Sequence, residues 1–103
     1  MKLNRDRRIT IKALNYETEY TETVGTVWAH YRSLSMKEQY DAGIDSGVEH
    51  AYFTFIPSDG YGETWELDTH SQIVFNNNVY NVVAVDFYEG KPGATIRVTG
   101  RRR

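Results

Sequence analysis

The sequence predicts a mainly β protein, a small six-stranded β-barrel with one short α-helix and long flexible loops. Three observations carry that expectation. At 103 residues the chain matches one domain on the usual scale of roughly 100 to 200 residues per domain. It is rich in Tyr (8), Phe (4) and Trp (2) beside Val, Ile and Thr, the residues that fit a pleated, half-buried surface. Its apolar residues also fall in short alternating runs divided by turn signals, the pattern of small barrels that protect their own edges. A single domain over residues 1–103 is expected, with its basic ends, 1–8 and 100–103, flexible.

The elements follow in order. Arg8 to Leu14 alternates Ile9 and Ile11 inward with Thr10 and Lys12 outward, a first strand. Asn15 to Thr23 is acidic and has few apolar residues, so it reads as an exposed loop or irregular edge. Val24 to Ser33 is a second strand, with Val27, Ala29 and Tyr31 on one face and Trp28, His30 and Arg32 on the other. Bulk on both faces suggests cover on both. Ser35-Met36-Lys37-Glu38 has the capping-box spacing of a helix start, and Gly43 marks the stop. Met36, Tyr40 and Ile44 would form the apolar side of that helix.

A third strand, Val48 to Ile56, alternates Ala51, Phe53 and Phe55 against His50, Tyr52 and Thr54, and Pro57 ends it. Ser58 to Glu66 carries two glycines and reads as a protruding connection. Gln72 to Phe75, the turn Asn76-Asn77-Asn78 and Val79 to Phe87 form a hairpin, because Asn tolerates the left-handed backbone such turns require. After a turn at Glu89 to Gly93, Ala94 to Thr99 is the last strand, with Ile96 and Val98 facing in. Trp28, Phe53, Phe55, Ile73 and Val83 are the expected core.

Composition narrows the classes. With 40% hydrophobic and 25% charged residues the chain should fold, and no cysteine is present to staple it or to act as nucleophile or zinc ligand. No apolar run approaches the roughly 18 residues of a membrane span, and the opening Met-Lys-Leu-Asn-Arg-Asp-Arg-Arg lacks a signal peptide's apolar stretch. A soluble, unexported protein with no membrane association is expected. The net charge of -2 hides a division: residues 1–12 and 97–103 carry nine basic groups and one acid, so the ends sum to +8 and the middle to -10. Such ends either reach for phosphates or an acidic neighbour, or are solvated arginines on frayed termini.

The chemistry-bearing residues are sparse. His30, His50 and His70 have no metal-ligand spacing, and Asp68 and His70 would need further ligands from elsewhere. Asp68, His70 and Ser71 have the residue types of a nucleophile triad but lie too near one another in sequence, without a Gly-x-Ser-x-Gly elbow. Gly60-Tyr61-Gly62 lacks the third glycine and following helix of a phosphate cradle. No catalytic residue, metal or cofactor is expected. A nucleic-acid module of the OB or SH3-like kind is the stronger rival, with Tyr31, Arg32, Tyr52 and Tyr80 as candidate stacking groups, although the acidic middle does not attract a phosphate backbone.

Four ordered segments resemble a known family. They are Arg8-Ile9-Thr10-Ile11; Thr26-Val27-Trp28-Ala29 running into Ser35 to Gly43; Tyr52-Phe53-Thr54-Phe55; and His70 through the three asparagines to Val82. Together they resemble the head-to-tail joining, or head-closure, proteins of tailed bacteriophages with long non-contractile tails, nearly end to end. That family often has an Arg in the aromatic strand and a Gly in the hairpin turn, where this chain has Phe, Thr and Asn. A sister tail-completion protein is therefore an open alternative, as is the nucleic-acid module.

The resemblance implies a structural virion protein at the head–tail interface, made in the host cytoplasm. It would form a homo-oligomeric ring beneath the portal and its adaptor, meet a tail protein on the other side, and let double-stranded DNA pass without sequence-specific binding. Arg5, Arg7, Arg8, Arg101, Arg102 and Arg103 are the expected contacts between subunits or rings. Asp59, Tyr61, Glu63 and Trp65, in the glycine-bearing loop, are the expected gating or docking residues.

Overall fold

A computed structural model describes residues 5–41, 43, 48–57, 67–87 and 95–103. Six strands and one helix run in the order β1 (Arg7–Asn15), β2 (Tyr20–Ser33), α1 (Met36–Asp41), β3 (His50–Phe55), β4 (Gln72–Phe75), β5 (Asn78–Phe87) and β6 (Ile96–Arg102). The strands close into a barrel in the order β1-β2-β3-β6-β5-β4, and every neighbouring pair is antiparallel. The mainly β barrel with a single short helix is therefore the fold that the alternating runs imply.

The period-two pattern explains the core. Ile9, Ile11, Ala51, Phe53, Phe55, Ile73, Ile96 and Val98 all point inward and are buried. Phe53 sits at the centre of an aromatic cluster drawn from four strands, with ring centroids 5.5 Å from Tyr31, 5.9 Å from Phe75 and 5.1 Å from Tyr80. Tilted and edge-on geometries such as these place a ring's positive edge near its neighbour's negative face.

Turn chemistry sets the hairpins. Asn76 and Asn77 both take positive φ (51° and 65°), giving a two-residue connection whose twist matches that of the flanking strands. Asn78 belongs to β5 rather than to the turn. The helix start is as its spacing implies: Glu38 N–H donates to Ser35 Oγ (3.2 Å) and Ser35 N–H to Glu38 Oε1 (3.3 Å). Gly43 ends it at φ 72°, a conformation that costs glycine little.

Several expectations are corrected. Asn15 to Thr23 is exposed from Tyr16 onward, as expected, but only residues 16–19 form the turn: β1 and β2 make a continuous hairpin in which Asn15 pairs with Tyr20 and Lys12 with Thr23. Asn15 Oδ1 accepts the N–H groups of Glu17 (2.9 Å) and Thr18 (3.3 Å), and Glu19 turns the chain at φ 63°, so a tight turn forms without glycine. Met36 and Tyr40 are exposed, and Gln39 is the buried helix residue. Its Nε2 donates to Leu34 O (3.2 Å), the carbonyl just before the Ser35 cap. Ile44 lies outside the described residues.

Two residues assigned to the core are outside it. Trp28 is 53% exposed on the outer face, where the Arg8 guanidinium lies 5.3 Å from its ring. Val83 is 41% exposed because the register of β5 against β6 shifts between Val82 and Ala84, which turns the extra residue out of the barrel. The last strand also runs beyond Thr99: Ala51 pairs with Gly100 and His50 with Arg101.

Gly100 marks the tightest point of the wall. A Cβ there would lie 2.9 Å from Tyr80 Cβ and 3.1 Å from Phe53 Cε2. Gly100→Ala is accordingly expected to destabilise the chain by about 1–3 kcal/mol through overpacking. Urea or thermal unfolding of the two proteins checks this; an unchanged midpoint would show that the wall yields.

Candidate functional site

Strand register sorts the charged residues by end. The β1–β2 turn and the segment entering β4 lie at one end of the barrel. Arg7, Ser33, His50, the Asn76–Asn77 turn and Arg102 lie at the other. Among the described residues the first end carries Glu17, Glu19, Glu22 and Asp68, together with the ion pair of Asp86 and Arg97. The second carries Arg5, Arg7, Arg101, Arg102 and Arg103 against Asp6 and Glu49, with Lys37, Glu38 and Asp41 on the nearby helix. A division along the sequence thus becomes a division along the barrel, because antiparallel pairing brings the start of β1 and the end of β6 to the same rim. β1 and β6 stand three strands apart in either direction, so the two basic segments occupy opposite sides of that rim.

At the acidic end, Tyr16 reaches from the hairpin turn to the segment before β4. Its hydroxyl donates to Asp68 Oδ2 (2.7 Å) and lies 3.3 Å from His70 Nδ1. That hydrogen bond raises the Tyr16 pKa and holds the Asp68 carboxyl below its ordinary range. Asp68 Oδ1 accepts the His70 N–H (2.8 Å), and Ser71 Oγ accepts the Asp68 N–H (3.1 Å). The trio suggestive of a nucleophile triad is therefore engaged in a turn, with Ser71 Oγ directed at backbone.

At the basic end one carboxylate gathers three partners. Glu49 Oε1 accepts the hydroxyls of Tyr31 (2.9 Å) and Tyr80 (3.3 Å), and its Oε2 accepts Arg102 (3.1 Å). Arg102 also donates through its other terminal nitrogen to Asn78 Oδ1 (3.1 Å), and its backbone N–H donates to Glu49 O (2.9 Å). Burial raises the Glu49 carboxyl, but the hydrogen bonds from Tyr31, Arg102 and Tyr80 more than offset it and hold the group below its ordinary value. Burial, followed by the neighbouring Tyr31 and Glu49, pushes the Tyr80 phenol far up. A shallow depression opens beside this node, lined by Val48, Glu49, Asn81, Arg101, Arg102 and Arg103.

The expected contact residues divide accordingly. Arg101, Arg102 and Arg103 come together at the depression, and Arg102 doubles as a structural tie. Arg5 precedes β1 and is exposed, Arg7 lies 3.9 Å from Asp6, and Arg8 donates to Thr26 Oγ1 (2.8 Å) while stacking on Trp28. Residues 7–8 belong to β1 and 100–102 to β6. Asp59, Tyr61, Glu63 and Trp65 lie outside the described residues. Glu49 and Tyr16 were not singled out from the sequence, because their partners stand between 18 and 54 positions away and no local pattern connects them.

The candidate stacking residues are already occupied. Tyr31 packs on the core, Tyr80 is buried, and Tyr52 is covered by two guanidiniums, Arg32 at 5.2 Å and Arg97 at 4.4 Å. Arg97 is held in turn by Asp86 (3.0 Å) and Arg32 by Glu38. No helix among the described residues is long and apolar enough to cross a membrane.

The Glu49 node sets a pH dependence. Its folded carboxyl titrates below the unfolded one, so its contribution is complete above the ordinary glutamate range and is lost as pH falls through the lowered folded value. Glu49→Gln should cost about 1–2 kcal/mol near neutrality, the scale of hydrogen bonds to a charged group partly exposed to solvent. The gap to the unaltered chain should narrow at pH 3. Urea midpoints at the two pH values read this out, and a gap that widens in acid contradicts it.

No curated protein matches the sequence. The family model described as phage head completion protein does match, over residues 4–98, which takes in β1 through β5 and the start of β6. With nearly the whole barrel inside that match, the chain belongs to the phage head completion protein family.

Proposed function

We propose that this chain is a structural, non-enzymatic component of the phage head–tail connector. Copies assemble into a ring that closes the DNA-filled head below the portal and its adaptor and offers the surface to which the tail attaches. The observation that carries this reading is the pairing of the family match with a closed barrel whose ends bear opposite charge. A ring of identical subunits needs two unlike, complementary surfaces on each copy, because head-to-tail contacts close on rotation. The acidic end and the basic rim supply such a pair.

The net negative middle of the chain suits passage of DNA, since carboxylates repel a phosphate backbone that a basic lining would hold. In this reading Arg5, Arg7, Arg8, Arg101 and Arg103 face neighbouring subunits or rings, and the segment with Asp59, Tyr61, Glu63 and Trp65 docks or gates. The alternative, an OB- or SH3-like nucleic-acid module, finds its stacking groups Tyr31, Tyr52 and Tyr80 engaged within the protein.

The test keeps Arg102, which holds Glu49, and replaces two other arginines of the rim by Arg5→Ser and Arg103→Ser. Incorporation into purified virions should fall while the unfolding midpoint stays unchanged. Full incorporation of the double variant would remove the basic rim from the assembly contact. A gel shift of the isolated chain on DNA at low and high salt addresses the alternative, which would require tight, salt-sensitive binding.

A further inference from the structure

β2 is longer than the strand against which it closes. Residues 30–33 pair with β3, whereas the stretch from Tyr20 to Ala29 pairs with β1. Among the described residues, the far edge of β2 from Tyr20 to Trp28 has no partner strand. Alternate N–H and C=O groups along an unpaired edge form a template for another strand. The edge carries no lysine or proline to discourage pairing, and Tyr20, Val24 and Trp28 stand along it at 75%, 36% and 53% exposure. Its irregularity is the register shift opposite Ile11 and Lys12, which leaves Val24 as the extra residue.

We propose that this edge receives, by strand addition, the segment preceding β1 of a neighbouring copy, residues 1–6 (Met-Lys-Leu-Asn-Arg-Asp). The inference rests on the proposed ring and names the surface that the basic N-terminal segment reaches. Charge complementarity selects the occupant: residues 15–24 hold Glu17, Glu19 and Glu22 and no base, whereas the segment carries Lys2 and Arg5 against Asp6. Length agrees as well. Six extended residues span about 20 Å and the nine-residue edge about 30 Å, so the segment fits within it.

Topology makes the contact intermolecular. Arg7 pairs with Ala29 on the β1 side, and the pairing of residues 30–33 with β3 closes the far side of β2 just below Trp28. A chain's own segment would have to cross its own strands to reach that edge, while a neighbour's approaches it directly. Donor and acceptor surfaces differ, so the contact is head-to-tail and propagates around a ring.

A carbodiimide, which joins carboxylates to amines, tests this on purified virions. Covalent multimers of the chain are expected, with linkages from the segment 1–6 to Glu17, Glu19 or Glu22 identified by mass spectrometry. Glu22→Lys, which also gives up the exposed bond from Asn15 Nδ2 (3.1 Å), should abolish most of the multimers and lower incorporation while the chain stays folded, and adding Arg5→Glu should restore incorporation by exchanging the two charges. Linkage within one chain, or of those glutamates to a different polypeptide, overturns the proposal while leaving the virion role intact. Absence of the unaltered chain from virions overturns the virion role and the strand exchange together.

Discussion

Closure of the sheet around Phe53 is the constraint on which the other features depend. Three other aromatic rings meet this side chain, and β6 passes close enough to complete the wall because Gly100 places no Cβ between Tyr80 and Phe53. A barrel so small buries its own backbone groups by joining its first strand to its fourth, so β1 must reach β4 while β2 still reaches β3. That double demand leaves little freedom at the basic rim. The Glu49 node sits there, tying the end of β2, the start of β3, the start of β5 and the end of β6 through one carboxylate.

The same closure explains the distribution of charge. With every neighbouring pair antiparallel, the first strand begins and the last strand ends at one rim, so the two arginine-rich segments share an end although they are 90 residues or more apart in the chain. The acidic β1–β2 turn is sent to the opposite end by the same rule. Some of the arginines have structural work: Arg102 completes the Glu49 node, Arg8 covers Trp28, and Arg97 packs on Tyr52. Arg5 and Arg103 are the residues for which assembly gives the fuller account.

The β1–β2 hairpin departs most from a minimal barrel. Its outer half is exposed along β2, carries three glutamates, and is steadied by the bond from Tyr16 to Asp68. A ribbon that contributes little to its own core, with an edge that no strand pairs among the described residues, is costly in an isolated subunit, since ordering it gains little burial. Its retention is physically reasonable where a neighbour completes the pairing, which ties the strand-exchange inference to the family assignment.

The sequence by itself determined the strand content, the inward identity of Ile9, Ile11, Phe53, Phe55, Ile73, Ile96 and Val98, the Asn turn and the helix start. Each of these depends on neighbours within a few residues, through period-two alternation, left-handed asparagines or a capping box. Only the tertiary structure decided the exposure of Trp28 and Val83, the pairing of the acidic hairpin and the Glu49 node. A face is inside or outside only once another strand lies against it, a bulge shows only against its partner's register, and Glu49 acquires its role from side chains at positions 31, 80 and 102 that meet only when the barrel closes.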